Sequence, residues 1–256
     1  MKAYKGYLID LDGTMYQGTE EIKEARDFIA RLNEKNIPYL FVTNNSSRTP
    51  AQVAGKLTEF QIPAAPEQVF TTSMATANFI SNQKEDASVY VIGEEGIRSA
   101  LEEKGLTLVE HEHPDFVVTG IDRGISYEKL AMACLAVRNG AAFISTNGDI
   151  AIPTERGLLP GNGSLTSVIA VSTETSPVFI GKPEAIIMEQ ALQVLGTKKE
   201  ETLMVGDNYQ TDILAGIRAG IDTLLVHTGV TQKEHLNHVE KQPTHIRNNL
   251  GDWEIK

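Results

Sequence analysis

Four short stretches carry the side chains that could do chemistry. Asp10-Leu11-Asp12-Gly13-Thr14 sets two carboxylates two residues apart, just where the apolar run 7–9 stops. Gly206-Asp207-Asn208 adds an acid after the apolar run 203–205, with Asp212 five residues on. Thr43-Asn44-Asn45-Ser46 supplies hydroxyls and amides at the end of 39–42. Gly181-Lys182-Pro183 offers a lysine just before a helical pattern, whose N-terminal amides favour anions. Three acids around one point repel each other and need a cation to coexist. A hard divalent ion with oxygen ligands fits, and Mg²⁺ fits best because it also bridges phosphate. A lysine and helix N-terminal amides facing that ion would hold the remaining phosphate oxygens. The chemistry that suits this set is phosphoryl transfer to a carboxylate.

Such residues converge only if the chain brings strand ends together, and its pattern does so. Apolar β-rich runs at 7–9, 39–42, 89–92, 116–119, 142–145, 178–180, 203–205 and 223–226 alternate with helical periodicity. The helical stretches are 21–34, 51–60, 74–82, 97–104, 127–139, 165–171, 184–195 and 213–219. This is the grammar of an α/β protein with a parallel sheet, whose ligands gather outside the carboxyl ends of the strands. The 256 residues suit one large or two modest domains. Thirty-four acidic against 23 basic residues leave a net charge of −11, which repels nucleic acid and anionic membranes. An anionic substrate therefore requires the local positive pocket that Lys182 provides. The longest apolar run, 130–137, is far short of the roughly 20 residues that span a bilayer. With one cysteine, Cys134, and no signal-peptide core at the N-terminus, a cytoplasmic protein is expected.

The residues resemble the haloacid dehalogenase-like hydrolases. Asp10-x-Asp12-Gly13-Thr14 is similar to the first motif of that superfamily and Thr43 to the second. Lys182 corresponds to the third and Gly206-Asp207-x-x-x-x-Asp212 to the fourth, all in the family's order. Thr43-Asn44-Asn45-Ser46, Gly181-Lys182-Pro183 and Thr146-Asn147-Gly148-Asp149 with Pro153, Gly157 and Pro160-Gly161-x-Gly163 resemble its NagD-type branch, subfamily IIA. Gly148 departs from the proline many relatives carry. The resemblance implies a Rossmann-like, doubly wound core at 1–78 and 181–256, with an inserted α/β cap of the C2 type at 79–180. It further implies Asp10 as nucleophile and Asp12 as general acid and then base. Thr43, Asn44 and Lys182 would bind phosphate. Asp10, the main-chain carbonyl of Asp12, and Asp207 would hold Mg²⁺, with Asp212 behind them. In the cap, Asn147, Asp149, Ile152 and Arg156 would choose the substrate, and Arg123 is a further cation there.

The implied activity is that of a phosphoric monoester hydrolase acting on small phosphorylated metabolites. Sugar phosphates come first, with acid sugar phosphates, nucleotides or a broad p-nitrophenyl phosphate-type range as alternatives. A phospho-receiver domain, which is no enzyme, shares strand-end acids, a threonine and a lysine. It is usually about half this length and lacks the second acid of D-x-D. A phosphomutase would carry its cap right after the first motif, where only 15–20 intervene here. Asp212 also stands where it could cap the helix 213–219. Gly161-Asn162-Gly163 reads as a turn, His111, His113, His235 and His238 as surface residues, and Cys134 as packing on the helix 127–139. A homodimer stays open as the oligomeric state.

Overall fold

The computed structural model describes residues 2–154 and 156–256. They divide into two compact units. One runs from the chain's start to Thr43 and includes Ala51–Phe70 and Lys182–Lys256; the other holds Asn44–Pro50 and Thr71–Gly181.

In the first unit the strands Gly6–Ile9, Tyr39–Thr43 and Thr202–Gly206 are buried along their whole length. Such unbroken apolar runs belong to strands covered on both faces. The sheet order is His245–Arg247, Asp222–Val226, Thr202–Gly206, Gly6–Ile9, Tyr39–Thr43, Val69–Thr71. Gly6–Ile9 is parallel to both neighbours, with Ile9 beside Val205 on one side and Phe41 on the other. In chain order this is the doubly wound arrangement, and its direction reverses between Gly6–Ile9 and Thr202–Gly206. That reversal opens a crevice at the strands' carboxyl ends. Lys23–Glu34 turns Ala25, Phe28, Ile29 and Leu32 into the core, and Ala185–Leu195 buries Ile187, Met188 and Ala191.

The second unit has its own parallel sheet, ordered Val178–Phe179, Ala142–Ser145, Phe116–Thr119, Ser88–Ile92, Thr107–Leu108. An antiparallel hairpin joins Ala151–Thr154 to Gly157–Pro160. Its core gathers Tyr90, Ile92, Val117, Ala133, Ala136, Val137, Phe143 and Ile169, and the half-buried Cys134 packs against it. No helix among the described residues is long and apolar enough to cross a membrane.

The α/β class and all eight sequence-read strands are present. The sequence missed Val69–Thr71, Thr107–Leu108, His245–Arg247 and the hairpin, which are short or carry too few apolar residues to leave a pattern. Gly161-Asn162-Gly163 is more than a turn: Gly161 is the N-cap of the helix Asn162–Thr173. A Cβ at Gly163 would lie 2.4 Å from the Gly148 carbonyl, so the helix start needs a glycine to approach that loop. The units divide at 43/44, 50/51, 70/71 and 181/182, whereas the sequence reading drew its lines at 78/79 and 180/181. The helix Thr72–Gln83 falls in the second unit, where it packs on Glu95–Glu103.

Candidate active site

Asp10, Thr43 and Asp207 sit at or just past apolar strands of the first unit, whereas Lys182 comes three residues after Val178–Phe179 of the second. The Asp10 amide still continues the ladder to the Val205 carbonyl at 2.9 Å, after which the chain leaves the sheet. The Leu11 carbonyl accepts from the Thr14 and Met15 amides at 3.1 and 2.7 Å, curling 11–16 into a tight turn. Gly13 makes that turn at φ +89, and a Cβ there would stand 2.5 Å from the Asp207 carboxyl group. Only glycine tolerates both conditions. Thr14, fully buried, aims its hydroxyl at both acids, 3.4 Å from Asp10 Oδ2 and 3.3 Å from Asp207 Oδ1.

Asp207 follows Thr202–Gly206 and takes the Val230 amide on Oδ2 at 2.6 Å. A π-helical turn, Tyr209–Ile213, then returns the chain so that Asp212 faces the same point. Asp212 Oδ2 accepts from the Asn208 amide at 3.0 Å, and Oδ1 accepts from Lys182 Nζ at 2.8 Å. The cap at this helical start is Asn208, whose side chain accepts from the Gln210 amide, so Asp212 does not cap the following helix. Lys182, 2% exposed, also donates to Asp10 Oδ1 at 2.5 Å and to the Val42 carbonyl at 2.9 Å.

Asp10, Asp207 and Asp212 are all buried, and each offers an oxygen within 4.8 Å of the other two. Burial is the main force lifting the Asp10 carboxyl well above the ordinary carboxylate range; the Asp212 charge adds to it and Lys182 opposes it. Burial and then the charge of Asp212 push Asp207 up to about 7, while the Val230 amide pulls the other way. For Lys182 burial favours the neutral amine, but Asp10 and Asp212 outweigh it and hold the ammonium above its usual range. With every group ionised, three acids and one lysine leave two surplus negative charges out of water. A buried charge surplus of that size requires a counter-ion or protons. The donors are all oxygens, with no thiolate or imidazole among them, which suits a hard divalent ion. Asp212 thus joins the acid cluster itself.

Asp12 lies outside this cluster: its side chain is exposed, and Oδ1 accepts from the Gly18 amide at 3.3 Å. Gly18 tips the two-residue hairpin Tyr16–Gln17 with Glu20–Glu21. Thr43 is buried at the end of its strand, one residue past the Val42 carbonyl that holds Lys182. Asn44 belongs to the second unit, where its amide donates to Asp149 Oδ2 at 3.2 Å. Asn147 donates to the Asn44 carbonyl at 2.9 Å and accepts from the Asp149 amide, so these three form one local network. Ile152 is half-buried on the hairpin, paired with Leu159, and Arg156 is exposed at its tip. Arg123 is ion-paired with Glu94 at 2.7 Å. His111, His113, His235 and His238 are exposed. Sequence reasoning gave no part to Thr14 or to the segment 227–231, which supplies the Val230 amide. The latter follows an apolar strand, so the rule that found the acids points to the segment, though not to its backbone amide.

Residues 7–107 match the family described as haloacid dehalogenase-like hydrolase, and 179–253 match one described as HAD-hydrolase-like. The 5'-nucleotidase YutF of Bacillus subtilis (strain 168) is 71% identical over 253 residues, covering 99% of this chain and 98% of the relative. An acid sugar phosphatase of Staphylococcus haemolyticus (strain JCSC1435) is 57% identical over 251 residues, covering 98% and 95%. The crystal structure of a double-mutant thermostable NPPase from Geobacillus stearothermophilus superposes with a TM-score of 0.95 at 60% identity, over 100% of both chains.

Proposed function

The chain belongs to the haloacid dehalogenase-like hydrolase family, and on that premise we propose that it is a Mg²⁺-dependent phosphatase of small phosphorylated metabolites. One observation carries the reading: Asp10 Oδ1 lies 2.5 Å from the buried Lys182 ammonium, in the same pocket as Asp207 and Asp212. Asp10 is the nucleophile in this reading, and its attack on phosphorus forms an aspartyl-phosphate. Lys182 favours the ionised form of that carboxylate and neutralises phosphate oxygens. The Thr43 hydroxyl and the Asn44 amide give further donors to the phosphoryl group. Asp12, in contact with solvent, protonates the leaving alcohol and then takes a proton from the hydrolytic water. Asp10, the Asp12 carbonyl and Asp207 would hold Mg²⁺, with Asp212 beside them. The ion supplies charge neutralisation that lets an anionic ester approach three acids.

In this reading the second unit is the family's α/β cap, and Asn147, Asp149, Ile152 and Arg156 influence which ester is accepted. The names of the relatives favour two substrate classes, sugar phosphates, acid ones included, and nucleoside monophosphates. A homodimer would cover apolar residues exposed on the second unit, such as Tyr127 and Val171. The test is phosphate release from both classes and from p-nitrophenyl phosphate, with Mg²⁺ and with EDTA. Hydrolysis that survives chelation removes the metal from the proposal. Absence of hydrolysis on every monoester removes the activity.

A further inference from the structure

The acids of the site are held from behind by a segment that carries no acid. His227–Thr231, reading His-Thr-Gly-Val-Thr, follows the strand Asp222–Val226 and lies against both Asp207 and the turn after Asp10. The Val230 amide donates to Asp207 Oδ2 at 2.6 Å, and the Thr231 amide donates to the Asp207 carbonyl at 3.1 Å. The Thr231 hydroxyl accepts from the Tyr209 amide at 2.8 Å, which fixes the start of the π-helical turn leading to Asp212. The Thr228 hydroxyl donates to the Gly13 carbonyl at 2.6 Å, reaching across to the nucleophile's turn. Between them Gly229 passes so close that a Cβ would stand 2.1 Å from Asp207 Oδ2 and 2.9 Å from Gly13 Cα. His227 closes the segment on itself: its Nδ1–H donates to the Thr231 carbonyl at 2.9 Å, while its own amide is anchored on the Arg247 and Asn248 carbonyls. Five consecutive residues thus tie Asp207, the approach to Asp212 and the turn behind Asp10 into one frame.

We propose that Thr228 is a positioning residue for the metal site: its bond to the Gly13 carbonyl sets the separation of Asp10 from Asp207, and with it the affinity for a divalent cation. The inference rests on the metal-dependent reaction proposed above, though its test does not. The pair Thr228–Gly13 is the one side-chain link from the segment to the nucleophile's turn among the hydrogen bonds named above. The others hold Asp207 and its own continuation, or close and anchor the segment itself through His227. Loss of that link leaves Asp207 clamped by Val230 while the turn after Asp10 loses its tie to the segment and is held only through Thr14 and the sheet edge among the bonds named above. Outer partners of metal ligands typically change affinity by about 10- to 100-fold.

The test measures Mn²⁺ binding to the purified full-length protein without substrate, from the electron paramagnetic resonance signal of the free ion. Thr228→Val keeps the shape and removes the donor. It should weaken Mn²⁺ binding by about tenfold or more, and Thr228→Ser should restore it. Gly229→Ala, which forces a methyl group onto the Asp207 carboxylate, should weaken it further. Circular dichroism establishes that each variant is folded. Wild-type affinity in folded Thr228→Val, or a Thr228→Ser as weak as the valine variant, overturns the positioning role and leaves the phosphatase reading intact. A wild-type protein that binds no Mn²⁺ overturns that reading instead, and the inference falls with it. If Thr228→Val does not fold, folded Gly229→Ala with unaltered affinity is the refuting result.

Discussion

The surplus of negative charge in the pocket makes the metal-free protein sensitive to alkali. The Asp207 carboxyl is raised from 3.8 to about 7, chiefly by burial. A group whose pKa is higher in the folded chain binds its proton more tightly there. Its contribution to stability is complete below the unfolded pKa, near 4, and is lost as pH rises through about 7. From pH 5 to pH 8 that loss amounts to about 2–3 kcal/mol for Asp207. Asp10 is raised as well and acts in the same sense. Lys182, shifted above its usual range, contributes only at far higher pH. His245 is lowered, mainly by burial, so it acts in the opposite sense within the window. Asp207→Asn isolates the acid, because the amide mimics the protonated carboxyl while every other group stays. In EDTA, the melting temperature of the wild type followed by circular dichroism should fall by about 5–10 °C between pH 5 and pH 8, relative to Asp207→Asn. Mg²⁺ at about 100 times its dissociation constant returns about 2.7 kcal/mol and should cancel most of the fall. Parallel curves for wild type and Asp207→Asn in EDTA would refute the idea that this carboxylate is destabilised by its surroundings.

Three further outcomes follow from the same geometry. Asp10→Asn should lower turnover of p-nitrophenyl phosphate by at least about 10³-fold in a folded protein; near-wild-type rates would mean a different nucleophile. Asp12→Asn should leave the melting curve unchanged, since the side chain is exposed, yet slow both formation and breakdown of the aspartyl-phosphate; rapid-quench kinetics with normal rates would remove its acid–base role. Substitution of Ile152 or Arg156 should reorder kcat/KM between a sugar phosphate and a nucleoside monophosphate without changing Mn²⁺ binding. An unaltered ranking would exclude the hairpin from substrate choice.

What could be read beforehand and what could not divide along a physical line. Asp10 and Asp207 were legible because each follows a run of fully buried apolar residues of one parallel sheet, whose strand ends converge by topology, and Lys182 because it stands just before a helical pattern. Asp212 was legible as a residue but not as a member of the acid cluster. Its place depends on a π-helical turn, and the helical periodicity of 213–219 gives no sign of one. The Val42 carbonyl and the Val230 amide were invisible, since backbone donors and acceptors are the same at every position. Asn44 was singled out for its type beside Thr43, yet its amide donates to Asp149, a contact 105 residues away that no local pattern encodes. The edge strand His245–Arg247 carries one apolar residue in three and could not be separated from a loop.

The D-x-D spacing shows how one short motif makes two unlike acids. In a continued strand, residues two apart would share a face and hence an environment. Here the strand ends at Ile9, and the turn closed by the Leu11 carbonyl swings the second acid out of the sheet. Asp10 stays buried among Lys182, Thr14 and the other acids, which suits the nucleophile of the proposed reaction. Asp12 reaches solvent and is held only by the Gly18 amide of the hairpin tip, which leaves it free to exchange protons. Two carboxyl groups with opposed surroundings are what nucleophilic and acid–base duties each require. Just after both acids Gly13 turns the chain at positive φ, where a side chain would also collide with Asp207.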